Sequence, residues 1–125
     1  MISIDIADVL RKHAAWLAGE AGGKRADLSK ADLSKADLSG ANLAGANLTR
    51  ANLSGANLSK ADLSGANLRG ANLRGANLVS AILVSANVSG AILRKADLSG
   101  ANLSKANLTL ANLSKAKMPD GGVHA

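Results

Sequence analysis

From Ala26 to Asp120 the chain is nineteen consecutive five-residue units with no insertion between them, and a spacing of five fits neither regular backbone element. The units read ADLSK, ADLSK, ADLSG, ANLAG, ANLTR and onward to AKMPD. The first residue is always Ala, and the third is Leu in seventeen of them, with Val88 and Met118 the exceptions. On an α-helix each step of five turns the leucine by about 140°, which spreads it around the axis instead of along one stripe. On a straight strand an odd spacing sends successive leucines to opposite faces and exposes half of them. Within one unit Ala26 and Leu28 are two apart and share a face, whereas Leu28 to Ala31 is a step of three that only a bend can reset. A corner in every unit solves the problem. Repeated corners wind the chain into a coil whose turns stack about 4.8 Å apart through backbone hydrogen bonds. Alanine and leucine then lie inside, and Leu28, Leu33, Leu38, Leu43, Leu48, Leu53, Leu58, Leu63, Leu68 and Leu73 are expected in the core.

The corner residues agree with this reading. The second residue is Asn or Asp in sixteen of the nineteen units, and such side chains hydrogen-bond nearby backbone and hold tight bends. The fourth is mostly Ser or Thr; the fifth is Gly eight times and Lys six times. Because Lys resists positive φ, some of the corners are expected to use a turn that does not demand Gly. The core must be thin, since the chain has one Trp and neither Phe nor Tyr while 47% of its residues are apolar. Cysteine is absent and only two histidines occur, so no disulfide, metal site or cofactor is expected.

Tandem A(D/N)LXX at this copy number resembles the pentapeptide-repeat protein family over residues 26–120. The segment WLAGEAGGKRADL, Trp16–Leu28, is similar to the lead-in ahead of the repeats in many bacterial members, which implies a bacterial or phage source. The resemblance implies an all-β solenoid, a right-handed quadrilateral β-helix with four units per coil and nearly five coils. Leu is then at the centre of each side and Ala beside it.

Three segments follow: a capping helix and linker over residues 1–25, the β-helix over 26–120 and a flexible tail over 121–125. Ser3 to Ala18 is expected to be helical, with Ser3 as N-cap and Gly19 as the stop. Its stripe, Ile6, Leu10, His13 and Leu17 with Val9 and Trp16 alongside, is expected to lie over the first coil and protect an open edge. No comparable cap follows Lys117, so the last coil is expected to pair with its copy in a homodimer. No run of apolar residues is long enough to span a membrane and no export signal is visible, which sets a cytoplasmic protein as the expectation.

No catalytic constellation stands out. The five aspartates of the repeat, Asp27, Asp32, Asp37, Asp62 and Asp97, occupy the corner position where Asn equally occurs, and a filled coil offers no concavity in which His13 or His124 would meet them. The expected role is therefore a non-enzymatic structural or protein-interaction module. The formal net charge is +6. Counted in fours, Lys30, Arg50 and Arg69 share one face and Lys35, Arg74, Arg94, Lys95 and Lys115 the next, against Asp27 and Asp32 alone. Such a two-face basic stripe makes nucleic-acid binding the alternative, although stacking aromatics are missing. Some members of the family imitate duplex DNA and bind type II topoisomerases, but mimicry needs an acidic rod and this one is basic. Ranks of Thr for binding ice are missing too, with only Thr49 and Thr109 present. Val79, Ile82, Val84 and Ile92 replace residues that are polar elsewhere and form a candidate contact patch.

Overall fold

The computed structural model describes residues 5–125 and contains one helix, α1 (Ile6–Leu17), followed by a coil of short bridges. Parallel bridges join the second residue of each unit to its counterpart twenty residues on: Asp27 to Asn47, Asn47 to Asn67, Asn67 to Asn87, Asn87 to Asn107. Twenty residues are four units, so each coil has four sides. The column from Asp27 defines the first side. Columns from Asp32, Asp37 and Asn42 define the second, third and fourth. Second and fourth sides therefore lie opposite one another.

Each unit with a coil on either side makes the same bonds. The N–H of Leu48 donates to Asn67 O at 2.7 Å, that of Asn47 to Ala26 O at 3.0 Å, and that of Arg50 to Arg69 O at 2.8 Å. The corner closes with Ala51 N–H donating to Leu48 O at 3.0 Å, a turn whose third residue is Arg50. With the backbone consumed between coils, the interior is left to Ala and Leu, and the ten expected core leucines are all buried. Only in the last coil, at Leu103, Leu108, Leu113 and Met118, is the third residue partly covered.

The corners correct one expectation. In each of the first eighteen units the fifth residue has positive φ, whether it is Gly40 at 67°, Lys30 at 60°, Arg50 at 58° or Leu110 at 61°. There is no separate turn type for lysine. The left-handed conformation costs a residue with a Cβ about 1–2 kcal/mol, less than closing the coil and burying the next leucine returns. Nothing lies within 4 Å of where a Cβ would stand at Gly65, Gly75 or Gly90, so a side chain there meets no obstacle.

Helix α1 is shorter than expected. Its N-cap is Asp5, whose Oδ1 accepts from the Asp8 N–H at 3.0 Å; Ser3, expected to cap it, lies outside the described residues. Gly19 does end it, at φ 70°, with Gly19 N–H donating to Trp16 O and Glu20 N–H to Ala15 O. Ile6, Val9 and Leu10 pack on the coil, and His13 is fully buried beneath the helix. Leu17, expected in the same seam, is instead 41% exposed, and Trp16 stacks on the His13 ring at 5.4 Å while remaining 42% exposed. At the other end, residues expected to trail loosely fold back. Val123 pairs antiparallel with Lys117, His124 N–H donates to Ala116 O, and Lys115 N–H donates to His124 O.

Candidate interaction surface

The second residue of each unit points its polar group at its own corner. All sixteen Asn and Asp side chains in that position accept from the N–H two residues on, as Asp97 Oδ1 does from Ser99 at 3.0 Å and Asn72 Oδ1 from Arg74 at 3.1 Å. Several accept a Ser or Thr hydroxyl as well, at 2.6 Å for Ser99 and Ser64. The hydroxyl of Ser29, and then its amide, hold the carboxyl of Asp27 below its ordinary value; Ser34, Ser39 and Ser99 do the same for Asp32, Asp37 and Asp97. These carboxylates are consumed in corner geometry and are spread over three sides. They form no acid–base pair.

Neither histidine faces a cleft. His13 Nδ1 accepts from the Ala26 N–H at 2.9 Å, which leaves Nε2 to donate to Ala44 O at 2.7 Å, so both ring nitrogens bind backbone. His124 sits in the paired tail. Between α1 and the first coil lies a cleft of ≈ 120 Å³ lined by Asp8, Val9, Lys12, Lys24, Arg25, Ala26 and Asp27. It is too small for most organic ligands, and Asp8 there is already bridged by Lys12 at 3.0 Å and by Arg11.

Eight basic residues of the coil occupy two corners, while Lys60 and Lys105 lie singly on the other two. Arg50 N–H donates to Arg69 O and Lys30 N–H to Thr49 O, which puts Lys30, Arg50 and Arg69 on the corner between first and second sides. Gly55 N–H donates to Arg74 O, Gly75 N–H to Arg94 O and Lys95 N–H to Ser114 O, so Lys35, Arg74, Arg94, Lys95 and Lys115 follow the corner between second and third. The second side is thus flanked on both edges by cations. All are exposed except Arg94, which is partly covered, and among the described residues the only ion pairs are those of Asp8 on the helix. The long side chains run along the corners: Arg50 Cγ would lie 3.3 Å from a Cβ at Gly70, and Arg94 Nη1 reaches Ser114 Oγ at 3.5 Å.

The four aliphatic residues do not form one patch. Val79, Ile82 and Val84 bound the fourth side in the third coil, and Ile82, bridged to Asp62 and Asn102, is 38% exposed. Ile92 is two units further on, half a coil away, and so lies on the opposite, second side between Asn72 and Asn112. Sequence reasoning also passed over Leu110, which is 90% exposed on the corner that opens the last coil of the second side. The fifth position varies among Gly, Lys, Arg and Ser, and a leucine there gives no signal until its φ and exposure are known.

The family model described as Pentapeptide repeats (8 copies) matches residues 26–65, 56–94 and 81–118. The chain belongs to the pentapeptide repeat family. Its members form right-handed quadrilateral β-helices and serve as structural repeat modules. Among solved structures it is similar to the pentapeptide repeat protein Rfr23 from the cyanobacterium Cyanothece 51142, at 42% identity over 74% of this chain and 64% of that one, TM-score 0.69. A pentapeptide repeat protein from the Arabidopsis thaliana thylakoid lumen is 44% identical over 66% of this chain and 53% of that one, TM-score 0.50. This chain spans less than two thirds of either. No curated protein sequence matches it.

Proposed function

We propose that this pentapeptide repeat protein is a non-enzymatic rod that presents its flat sides to a protein partner. The observation that carries this is the second side, where two rows of cations without an ion-pair partner among the described residues flank a surface whose backbone is bonded between coils up to the last one. Recognition there falls to side chains alone, and unpaired charge in two rows steers an acidic partner onto one side of four. The same charge argues against imitation of duplex DNA, which requires an acidic surface. It favours, as a second reading, direct binding of nucleic acid through phosphate contacts, with affinity that falls steeply as salt rises.

A photo-cross-linking residue at Thr49, Ser54, Ser59 or Ser64 samples the four corners of the second coil in turn. In the cells that make the protein, the expected result is one saturable protein adduct from Thr49 and Ser54, which bound the second side. Equal labelling from all four corners, or none from any, would remove the reading. Nucleic acid in the adduct would replace it by the second.

A further inference from the structure

The second side carries two aliphatic residues that forgo the usual corner chemistry of the repeat and yet stay exposed. Ile92 stands where sixteen units have Asn or Asp; it is 40% exposed, and the Arg94 N–H that such a side chain would bind has no acceptor among the described residues. Leu110 stands where other units have Gly or a polar residue, holds a left-handed φ of 61° and is almost wholly in water. Two exposed aliphatic side chains, each at a site where the repeat prefers something else, lie in adjacent coils on the same side of the rod and its corner. Arg69, Arg74, Arg94, Lys95 and Lys115 surround them on its two corners, and none is in an ion pair among the described residues.

We propose that the second side, around Ile92 and Leu110, docks a protein segment in which acidic residues surround one or two apolar ones. This rests on the interaction-module reading and names the surface and the partner's chemistry. An apolar centre inside a charged rim is the anatomy of a protein interface, with arginine prominent among its contributors. A phosphate backbone is matched by cations alone and gains nothing from aliphatic groups placed among them. Nucleic-acid surfaces that engage unpaired bases use aromatic rings, and the one Trp of this chain lies on α1, at the opposite end of the rod from Leu110.

The test is fluorescence anisotropy with a short labelled peptide of glutamates interrupted by two leucines, the same peptide with serines in their place, and a mixed-sequence DNA duplex. The leucine peptide is expected to bind at least about tenfold more tightly than the serine peptide, a difference of one hydrophobic contact, with both weakening as salt rises. Ile92→Asn and Leu110→Gly are each expected to erase most of that difference. Both variants should also melt a few degrees higher, because each restores the corner chemistry of the repeat; loss of binding with gain of stability separates a contact residue from a structural one. Equal binding of the two peptides, unchanged binding by both variants, or tighter binding of the duplex than of the leucine peptide would each overturn the proposal. Should cross-linking capture a protein through Ser59 and Ser64 while the peptides fail, this surface is wrong and the module reading survives.

Discussion

At the scale of single residues, one side-chain oxygen performs the same task at sixteen corners, accepting the amide two residues ahead, and the exceptions show what it contributes. Ile82 leaves the Val84 amide without that acceptor. Ile82→Asn should raise stability by about 1 kcal/mol, the net worth of a hydrogen bond, seen as a higher midpoint in thermal unfolding; a lower midpoint would mean that Ile82 packs better than its exposure indicates. Where the acceptor is Asp, the corner also titrates. Asp27, Asp32, Asp37 and Asp97 are held below their ordinary 3.8, first by the Ser hydroxyl and then by its amide. A lowered native value means that their contribution is complete at neutral pH and is lost as pH falls below the ordinary value toward the native one. Replacing the four by Asn keeps the acceptor and removes the titration, so midpoints measured from pH 6 down to about pH 2 should fall less steeply than in the parent. The carboxamide's task is legible in the sequence because it acts on its own neighbours. That lysine would adopt positive φ is not, since its reluctance is about 1–2 kcal/mol and coil closure overrides it.

At the scale of elements, α1 is fastened by backbone more than by its apolar seam. The linker doubles back under the helix, with Gly23 N–H donating to Glu20 O and Lys24 N–H to Lys12 O. A Cβ at Gly23 would come within 2.6 Å of Trp16 Cα and 2.7 Å of the Ala15 carbonyl carbon. Gly23→Ala should therefore loosen the helix at a cost of about 1–3 kcal/mol. The single Trp reports it: Trp16 emission should shift to longer wavelength and become easier to quench, while the far-ultraviolet signature of the coils persists. Emission identical to the parent's would show that the helix shifts to accommodate the methyl group. The helix itself, its glycine stop and its place over the first coil follow from patterning and from the need to cover an edge. The role of His13 does not, because its partners are backbone groups at Ala26 and Ala44 that only the winding of the chain brings together. Periodicity places Leu17 in the seam, but the helix ends at that residue and leaves it exposed, while Trp16 beside it reaches Gly45 of the first coil.

At the scale of the whole molecule, the coils depend on their neighbours, so the two ends decide how the rod meets its surroundings. The sequence revealed four sides only through a family resemblance; the columns of cations then followed by counting. Which aliphatic residues share a side needed the register, for Ile82 and Ile92 differ by half a coil. The first coil lies under α1, whereas in the last coil the N–H groups of Leu103, Lys105, Leu108, Leu110 and Leu113 and the carbonyls of Ala101, Ala106 and Ala111 have no hydrogen-bond partner among the described residues. The folded-back tail protects only the part near Lys115 and Met118. Donors and acceptors alternate along that edge, and Leu103, Leu108 and Leu113 are only partly covered beside it. Two copies related by a two-fold axis can exchange these bonds and cover these leucines together. The purified chain is therefore expected to pass from monomer to dimer as its concentration rises, measured by light scattering. Leu103→Lys, which sets charge into the edge at a leucine packed on the end of the core, should hold it monomeric while the dichroism of the inner coils is retained. A parent that stays monomeric at every concentration reached, or a variant that dimerises as well as the parent, would mean that water satisfies this edge.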